Sequence, residues 1–443
     1  MTIYAVSTGS VPSGIAVIRV SGEDTQEIVQ KITNSTLPDP RAAKLKKFSK
    51  ISTNELIDEG ILIWFPGPES YTGEDMAEFH VHGSRAVIEA MHETISEIGN
   101  CRMAEPGEFT KLAFQNGKIN LLKAESISDL ISAETEMQRH QAMKIMSGNS
   151  YKKFSELRKR LLKILSNVEA KIDFPEEDLP EDIIKDIKSE SNNIREEIKK
   201  ILNDQKVGEL IREGFNIAII GPSNAGKSSL LNFFSKRDVA IVSEIAGTTR
   251  DVIEVHLNLD GYPVTISDTA GIRESKDEIE KKGIKLALKK AEKSDLNIIL
   301  IEPKSVEFTG FLNDLISEKG IIVVNKSDLG IEKIDQKIKK YDPIYLSIKE
   351  EKNLDTLIKV IKKKLKTKFI RSDNILITRE RHRKNLEECI IHLENFEEKN
   401  SVEDFDKAAE DLRLATRCLG KIVGKVDVEE ILGSIFGDFC IGK

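Results

Sequence analysis

Gly221-Pro222-Ser223-Asn224-Ala225-Gly226-Lys227-Ser228 is the stretch on which the reading of the chain turns. It matches G-x-x-x-x-G-K-[ST] without a mismatch. Phe215-Asn216-Ile217-Ala218-Ile219-Ile220 before it reads as a buried strand, and Ser229-Leu230-Leu231-Asn232-Phe233-Phe234 after it opens a helix. Strand, glycine loop and helix together make a phosphate cradle: the glycines let backbone N–H groups turn toward phosphate oxygens at a helix N-terminus. In such a loop Lys227 reaches the terminal phosphates and the Ser228 hydroxyl holds Mg²⁺. A chance glycine-rich turn would not bring both flanking elements with it.

Working outward, residues 214–368 alternate strand and helix. Buried strands are expected at 264–267, 297–301, 321–324 and 343–346, the pattern of a mostly parallel sheet. On both sides lie long amphipathic helices rich in strong helix formers: 121–146, 151–172 and 181–202 before, 380–396, 401–423 and 428–436 after. Pro175 and Pro180 separate the second from the third. The economical reading is one discontinuous helical domain, 118–213 and 369–443, with the nucleotide domain inserted. Residues 1–117 look mixed α/β, with strands at 15–20, 60–65 and 77–82 and a helix over 84–98.

Composition narrows the function classes. The 443 residues carry 32% charged side chains and a net charge of −7, which argues against a protein that coats nucleic acid non-specifically. Four cysteines, Cys101, Cys389, Cys418 and Cys440, show no C-x-x-C spacing, so a reducing cytoplasm is expected rather than a disulfide framework. No apolar run reaches membrane-spanning length, and no secretory leader is expected at the N-terminus.

The base is read further on. Asn325-Lys326-Ser327-Asp328 directly follows a strand, and the Asp328 carboxylate can accept both guanine N1–H and the 2-amino group. Adenine offers no such pair of donors. Asn325 and Lys326 would brace the loop and cover the ring, and Ser347-Ile348-Lys349 resembles the final guanine loop of GTPases. Asp268-Thr269-Ala270-Gly271 sits where Mg²⁺-side and γ-phosphate contacts belong, and Gly247-Thr248-Thr249-Arg250-Asp251 is a candidate first switch, Thr249 completing the Mg²⁺ shell. Many GTPases place a glutamine after the second-switch glycine to position water; here Ile272 stands there. Asp277, Glu278 and Glu280 are the carboxylates nearby, and their positions alone do not choose among them.

Four blocks then give a resemblance: Tyr71-Thr72-Gly73-Glu74-Asp75, Ala104-Glu105-Pro106-Gly107-Glu108-Phe109-Thr110, the extended phosphate loop through Asp251, and Phe439-Cys440-Ile441-Gly442-Lys443. Over nearly its whole length the chain resembles the MnmE/TrmE family of bacterial tRNA-modification GTPases. The resemblance implies a multidomain fold: an N-terminal α+β folate-binding and dimerisation domain (1–117), a discontinuous helical bundle, and an inserted Ras-like doubly wound GTPase domain. It implies a homodimer and a complex with the FAD-dependent protein MnmG, the flavin coming only through that partner. Together they would add an aminomethyl-type or carboxymethylaminomethyl group at C5 of the wobble uridine of certain tRNAs. The one-carbon donor would be 5-formyl- or 5,10-methylene-tetrahydrofolate.

The resemblance also implies site residues. Arg19, Glu78, Lys118 and Lys443 match folate-contacting positions; cations suit glutamyl carboxylates, and a carboxylate suits pterin N–H groups. The nucleotide site would run through Asn224, Ala225, Gly226, Lys227, Ser228 and Ser229, then Ser243, Glu244, Ile245, Ala246, Gly247, Thr248 and Thr249, with the later loops above. Family members are K⁺-activated: Asn224, Ser243, Ile245 and Thr248 match the ion's cage, which would do the work of an arginine finger. Glu280 matches the family's water-orienting glutamate, and Cys440 lies in its functional tail. The chain departs from the family in Gly9-Ser10-Val11-Pro12-Ser13-Gly14, which lacks an arginine, in Ser84 for a glycine, and in Ile348 for an alanine. A GTP-switched ribosome-assembly factor would need an RNA-binding module after the GTPase segment, and none is evident. A stand-alone folate transferase would leave the GTPase motifs idle.

Overall fold

A computed structural model of the chain describes residues 1–9, 12–173, 181–222, 224–237, 240–241, 254–268, 289–303, 319–330, 336–369, 375–399, 405–426, 429–437, 439 and 442. Contacts divide it into two units. One joins Met1–Ser128, Ile145–Ile194 and Glu388–Lys443; the other joins Asp129–Lys144 and Arg195–Glu387.

The first unit opens with β1 (Thr2–Val6), β2 (Ser13–Ser21), α1 (Thr25–Thr33), β3 (Lys44–Ser49), β4 (Leu56–Phe65), β5 (Met76–Gly83), α2 (Arg85–Ser96), β6 (Cys101–Met103) and α3 (Glu108–Gln115). The strands form one sheet in the order β3-β4-β5-β2-β1-β6, antiparallel except for the β1–β6 pair. Alternation decides its faces. Ala16, Ile18 and Val20 of β2, with Ala77, Phe79 and Val81 of β5, are buried with Ile28, Val29 and Ile32 of α1 and Met91 and Ile95 of α2. The intervening residues fall on the other face, and the register sets Arg19 opposite Glu78. Ser84 caps α2, its hydroxyl accepting from the Val87 N–H at 3.3 Å.

The helix expected over 121–146 is two helices, α4 (Leu121–Ile131) and α5 (Glu136–Met146). The break is chemical. Thr135 Oγ1 accepts from the Gln138 N–H at 3.3 Å, while Gln138 Oε1 accepts from the Glu134 and Thr135 N–H groups at 3.0 Å each. This reciprocal cap starts a new helix inside a continuous apolar period. In the first unit α6 (Asn149–Asp173) buries Phe154, Leu157, Leu161, Ile164, Leu165 and Val168, a stripe at i, i+3, i+4 spacing, and packs on α13 (Phe405–Val423). Helix α14 (Glu429–Gly437) adds Leu432, Ile435 and Phe436, which with Phe439 pack on Leu121 and Ala124.

The second unit holds α8 (Val207–Glu213), β7 (Phe215–Ile220), α9 (Lys227–Ser235), β8 (Ala240–Ile241), β9 (Glu254–Leu259), β10 (Tyr262–Asp268), β11 (Leu296–Ile301), β12 (Gly320–Val324), α10 (Gln336–Lys339), β13 (Ile344–Tyr345) and α11 (Leu354–Lys368). Its sheet order is β13-β12-β11-β7-β10-β9-β8. The five strands from β13 to β10 run parallel, and β9 and β8 form an antiparallel edge. Every residue of β11, and all of β7 but Asn216, is buried, as central strands covered on both faces must be. Ile217, Ile219, Ile298 and Leu300 face Leu230, Phe234, Leu357 and Ile361; Ala218, Ile220, Ile299 and Ile301 face the other way with Ala291 and Ile338. This is the doubly wound sheet of a Ras-like domain. Helix α7 (Glu181–Leu202) and helix α12 (Glu380–Glu398) each contribute residues to both units.

Candidate functional site

The phosphate loop leaves β7 at Gly221 and enters α9 at Gly226. At Gly221 an added Cβ would lie 2.0 Å from the Leu300 carbonyl oxygen, so only glycine lets the loop pass β11. Gly226 has φ +97°, a left-handed turn, and a Cβ there would strike Asn325 Nδ2 at 2.5 Å. Lys227 is buried, and its Nζ donates to the carbonyls of Gly221 and Pro222 at 2.8 and 2.9 Å. The ammonium is thus held across the loop it serves. Ala225 is buried, and Asn224, Ser228 and Ser229 are exposed at the mouth of the turn.

Asn325 leaves the C-terminal end of β12 and joins three loops. Its Nδ2 donates to the Ala225 carbonyl at 2.8 Å, and its Oδ1 accepts from the Ile348 N–H at 3.1 Å. Lys326 takes a left-handed backbone and pairs with Glu302 at 2.9 Å. The Ser327 N–H donates to the Leu346 carbonyl at 3.1 Å, tying the loop to the strand end that leads to Ser347, Ile348 and Lys349. A hydrogen bond with Ser347 holds the exposed Asp328 carboxyl below the usual carboxylate range, with Lys349 and Lys352 adding to it. Asp328 therefore stands as a charged acceptor, the state a guanine edge requires. Asp268 ends β10 in parallel register with Ile219 of β7, which sets its backbone beside the start of the phosphate loop.

Thr269, Ala270, Gly271, Glu280, Cys440 and Lys443 lie outside the described residues, as do Ser243, Glu244, Ile245, Ala246, Gly247, Thr248 and Thr249. Of the expected metal ligands, Asn224, Ser228 and Asp268 are among the described residues. No group of three or more His, Cys, Asp or Glu side chains able to hold a metal occurs among the described residues. A phosphate loop asks for none: a hydroxyl and the phosphates themselves carry most of the Mg²⁺ shell.

The second cluster lies in the first unit. Arg19 Nε and Nη2 both reach Glu78 Oε1, at 3.1 and 2.9 Å. The guanidinium carbon stands 5.6 Å from the ring centres of both Tyr71 and Phe109. Tyr71 Oη and Thr110 Oγ1 are hydrogen-bonded at 2.9 Å, and burial pushes the Tyr71 pKa up. Ser21 Oγ bonds with Thr72 Oγ1 at 2.7 Å and donates to Glu74 at 3.1 Å. The stem of Lys118 runs along Gly73, and its Nζ is 3.9 Å from Glu69. Gly107, at φ +69°, lets the chain come within 2.7 Å (to a Cβ) of the Phe436 carbonyl oxygen. A Cβ at Gly442 would lie 2.0 Å from the Val6 carbonyl oxygen, and the Gly442 carbonyl accepts from Ser7 Oγ at 2.7 Å. Three of the four signature blocks therefore converge around Arg19 and the end of β1. The sequence reading missed His80 here, although the alternation along β5 places it on the face of Glu78.

One enclosed polar atom in this cluster lacks a partner among the described residues. His80 Nε2 is buried without a hydrogen bond, and Glu78 Oε2, 3.6 Å from it, receives none from a described residue. A bound heterocycle with N–H donors suits that pair.

Residues 2–118 match the family model described as GTP-binding protein TrmE N-terminus, and residues 121–440 match the MnmE helical domain. A tRNA modification GTPase MnmE of Pelagibacter ubique (strain HTCC1062) is 70% identical over 443 residues, 100% of both chains. The chain belongs to the tRNA modification GTPase MnmE family. A further MnmE relative, from Rickettsia akari (strain Hartford), is 43% identical over 447 residues, again 100% of both chains. Among solved structures, the G domain of the T. maritima FeoB iron transporter aligns with 34% of this chain and 98% of its own, at 23% identity and a TM-score of 0.26. MnmE is a GTPase family, and the loops joined by Asn325 are those of a GTPase. The remaining cysteines have no part in this: Cys101, Cys389 and Cys418 are free, and burial pushes the Cys418 thiol up to about 11. Among the described residues no helix is long and apolar enough to cross a membrane.

Proposed function

We propose that this MnmE-family chain is a cytoplasmic, K⁺-activated GTPase that modifies tRNA together with an FAD-dependent partner, MnmG. The modification is an aminomethyl-type group at C5 of the wobble uridine, and the chain acts as a homodimer. The observation that carries the nucleotide half is the pair of hydrogen bonds made by the Asn325 amide, which ties the phosphate loop to the guanine loops.

In this reading Asp328 accepts the guanine N–H groups and the Lys326 stem covers the ring. Lys227 exchanges its loop carbonyls for the β- and γ-phosphates of GTP. Ser228, Thr249 and Asp268 orient Mg²⁺, and Asn224, Ser243, Ile245 and Thr248 orient K⁺; when bound, the two ions supply positive charge against the phosphates. Glu280 orients the attacking water. Arg19, Glu78, Lys118 and Lys443 hold the folate, which supplies the one-carbon unit, and Cys440 stands near that chemistry. The domains are 1–117, 118–213 with 369–443, and 214–368.

The deciding experiment compares GTP hydrolysis in K⁺ and in Na⁺ at equal ionic strength and fixed Mg²⁺, for the wild type, Asn224→Ala and Glu280→Ala. Stimulation by K⁺ that Asn224→Ala removes, with hydrolysis lost but GTP still bound in Glu280→Ala, supports the assignment. Equal wild-type rates in the two salts overturn the K⁺ cage.

A further inference from the structure

His80 stands beside the Arg19–Glu78 pair and has no role in the reading above. Its Nε2 is enclosed without a partner among the described residues. Glu78 Oε2 lies 3.6 Å away, beyond hydrogen-bond distance. Arg19 spends Nε and Nη2 on the other oxygen, Oε1, with its guanidinium carbon 5.6 Å from the ring centres of Tyr71 and Phe109. The site therefore offers, side by side on one strand, a carboxylate with an open oxygen and an imidazole nitrogen with an open position. Residues 78 and 80 are i and i+2 on β5 and point the same way.

That order of groups reads one kind of edge. A pterin presents its 2-amino group, N3–H and 4-oxo oxygen in a row: donor, donor, acceptor. A carboxylate satisfies the two donors and repels the acceptor. An N–H beside the carboxylate completes the set. We propose that His80 is a specificity-determining residue of the folate site, donating its Nε2–H to the 4-oxo oxygen while Glu78 takes N3–H and the 2-amino group. Arg19, besides its own part in holding the folate, fixes which Glu78 oxygen faces the pterin. The proposal rests on the folate reading given above.

The test is calorimetric titration of the full-length protein with 5-formyl-tetrahydrofolate and with its 4-amino-4-deoxy analogue, which puts a donor where the 4-oxo acceptor was. Wild type, His80→Leu and His80→Gln are compared, with circular-dichroism melting as the check on folding. His80→Leu should weaken the 4-oxo ligand about tenfold and leave the 4-amino ligand within about twofold, one neutral hydrogen bond being at stake. His80→Gln, which keeps an N–H donor, should recover most of the loss. Equal affinity of wild type and His80→Leu for the 4-oxo ligand overturns the role of His80 and leaves the folate site standing. So does an equal loss of both ligands. If wild type binds neither ligand, the folate reading itself falls. Should His80→Leu melt early, His80→Met repeats the comparison, and an unchanged 4-oxo affinity there is equally fatal.

Discussion

Asn325 shows what a single amide can hold. It is 3% exposed and spans from the Ala225 carbonyl to the Ile348 N–H. Asn325→Ala leaves both backbone groups without that partner, at about 1–3 kcal/mol for the buried Ala225 carbonyl and less for the half-buried Ile348 N–H. GDP affinity, followed with a fluorescent nucleotide, should fall at least about tenfold; unchanged affinity would mean the loops hold without the amide. Asp328 adds a pH dependence. Its carboxyl lies below the usual range through Ser347, so the charged form persists as pH falls and is lost only when pH drops through that lowered value. Guanine-nucleotide affinity should stay flat as pH falls to the ordinary carboxylate range and fail only below it. Ser347→Ala should move that acid limb to higher pH. Both residues are legible from N-K-x-D after a strand. Glu302 is not, because a lone acid at a strand end carries no spacing signal. Nor does any motif encode the grip of Lys227 on its own loop carbonyls.

At the scale of elements the instructive piece is α8. Seven residues are too few to hold a helix in water. It is pinned instead: Arg383 meets Glu209 at 2.8 Å and Asp204 at 2.6 Å, Gln141 donates to the Gly208 carbonyl at 2.8 Å, and Asp129 takes Arg212 at 3.0 Å and Arg379 at 2.7 Å. Gly214 then hands the chain to β7. Arg383→Met would strand two buried carboxylates, a loss of about 3–5 kcal/mol. The melting temperature should drop by roughly 10 °C, and Glu209→Gln on top should restore part of it; additive losses would mean that the pair does not act as one. The sequence hides α8 because a short helix has no period to detect. The α4–α5 break is different. Thr135-Glu136-Met137-Gln138 is a readable capping box, masked by apolar spacing that runs on through it. Strand β9 likewise carries a clear signal, Val255, Leu257 and Leu259 buried in alternation, that the reading passed over.

On the scale of the molecule, helices on both flanks of the nucleotide segment announce an insertion, but not which helix partners which. Helix α6 packs on α13, more than two hundred residues away, and one amphipathic stripe looks like another. The docking of the C-terminal segment was equally hidden, since Gly107 and Gly442 look like ordinary turn glycines until Phe436 and Val6 are seen against them. Gly107→Val adds bulk at φ +69° where a Cβ already meets Phe436 O at 2.7 Å. Limited proteolysis should then cut faster around residues 429–442 while GDP binding persists, because the nucleotide loops belong to the other unit. Unchanged protection would show that the segment docks without that close approach. The Ser7–Gly442 bond has a consequence for birth on the ribosome. Strand β1 emerges long before residue 442, whose carbonyl accepts the Ser7 hydroxyl at the end of that strand. At 5–20 residues per second the stretch beyond residue 128 takes roughly 15–60 s to make. Throughout that interval the nascent chain carries an unfinished first unit, so an interrupted translation product can hold the whole nucleotide sheet while its first unit still lacks the closing segment.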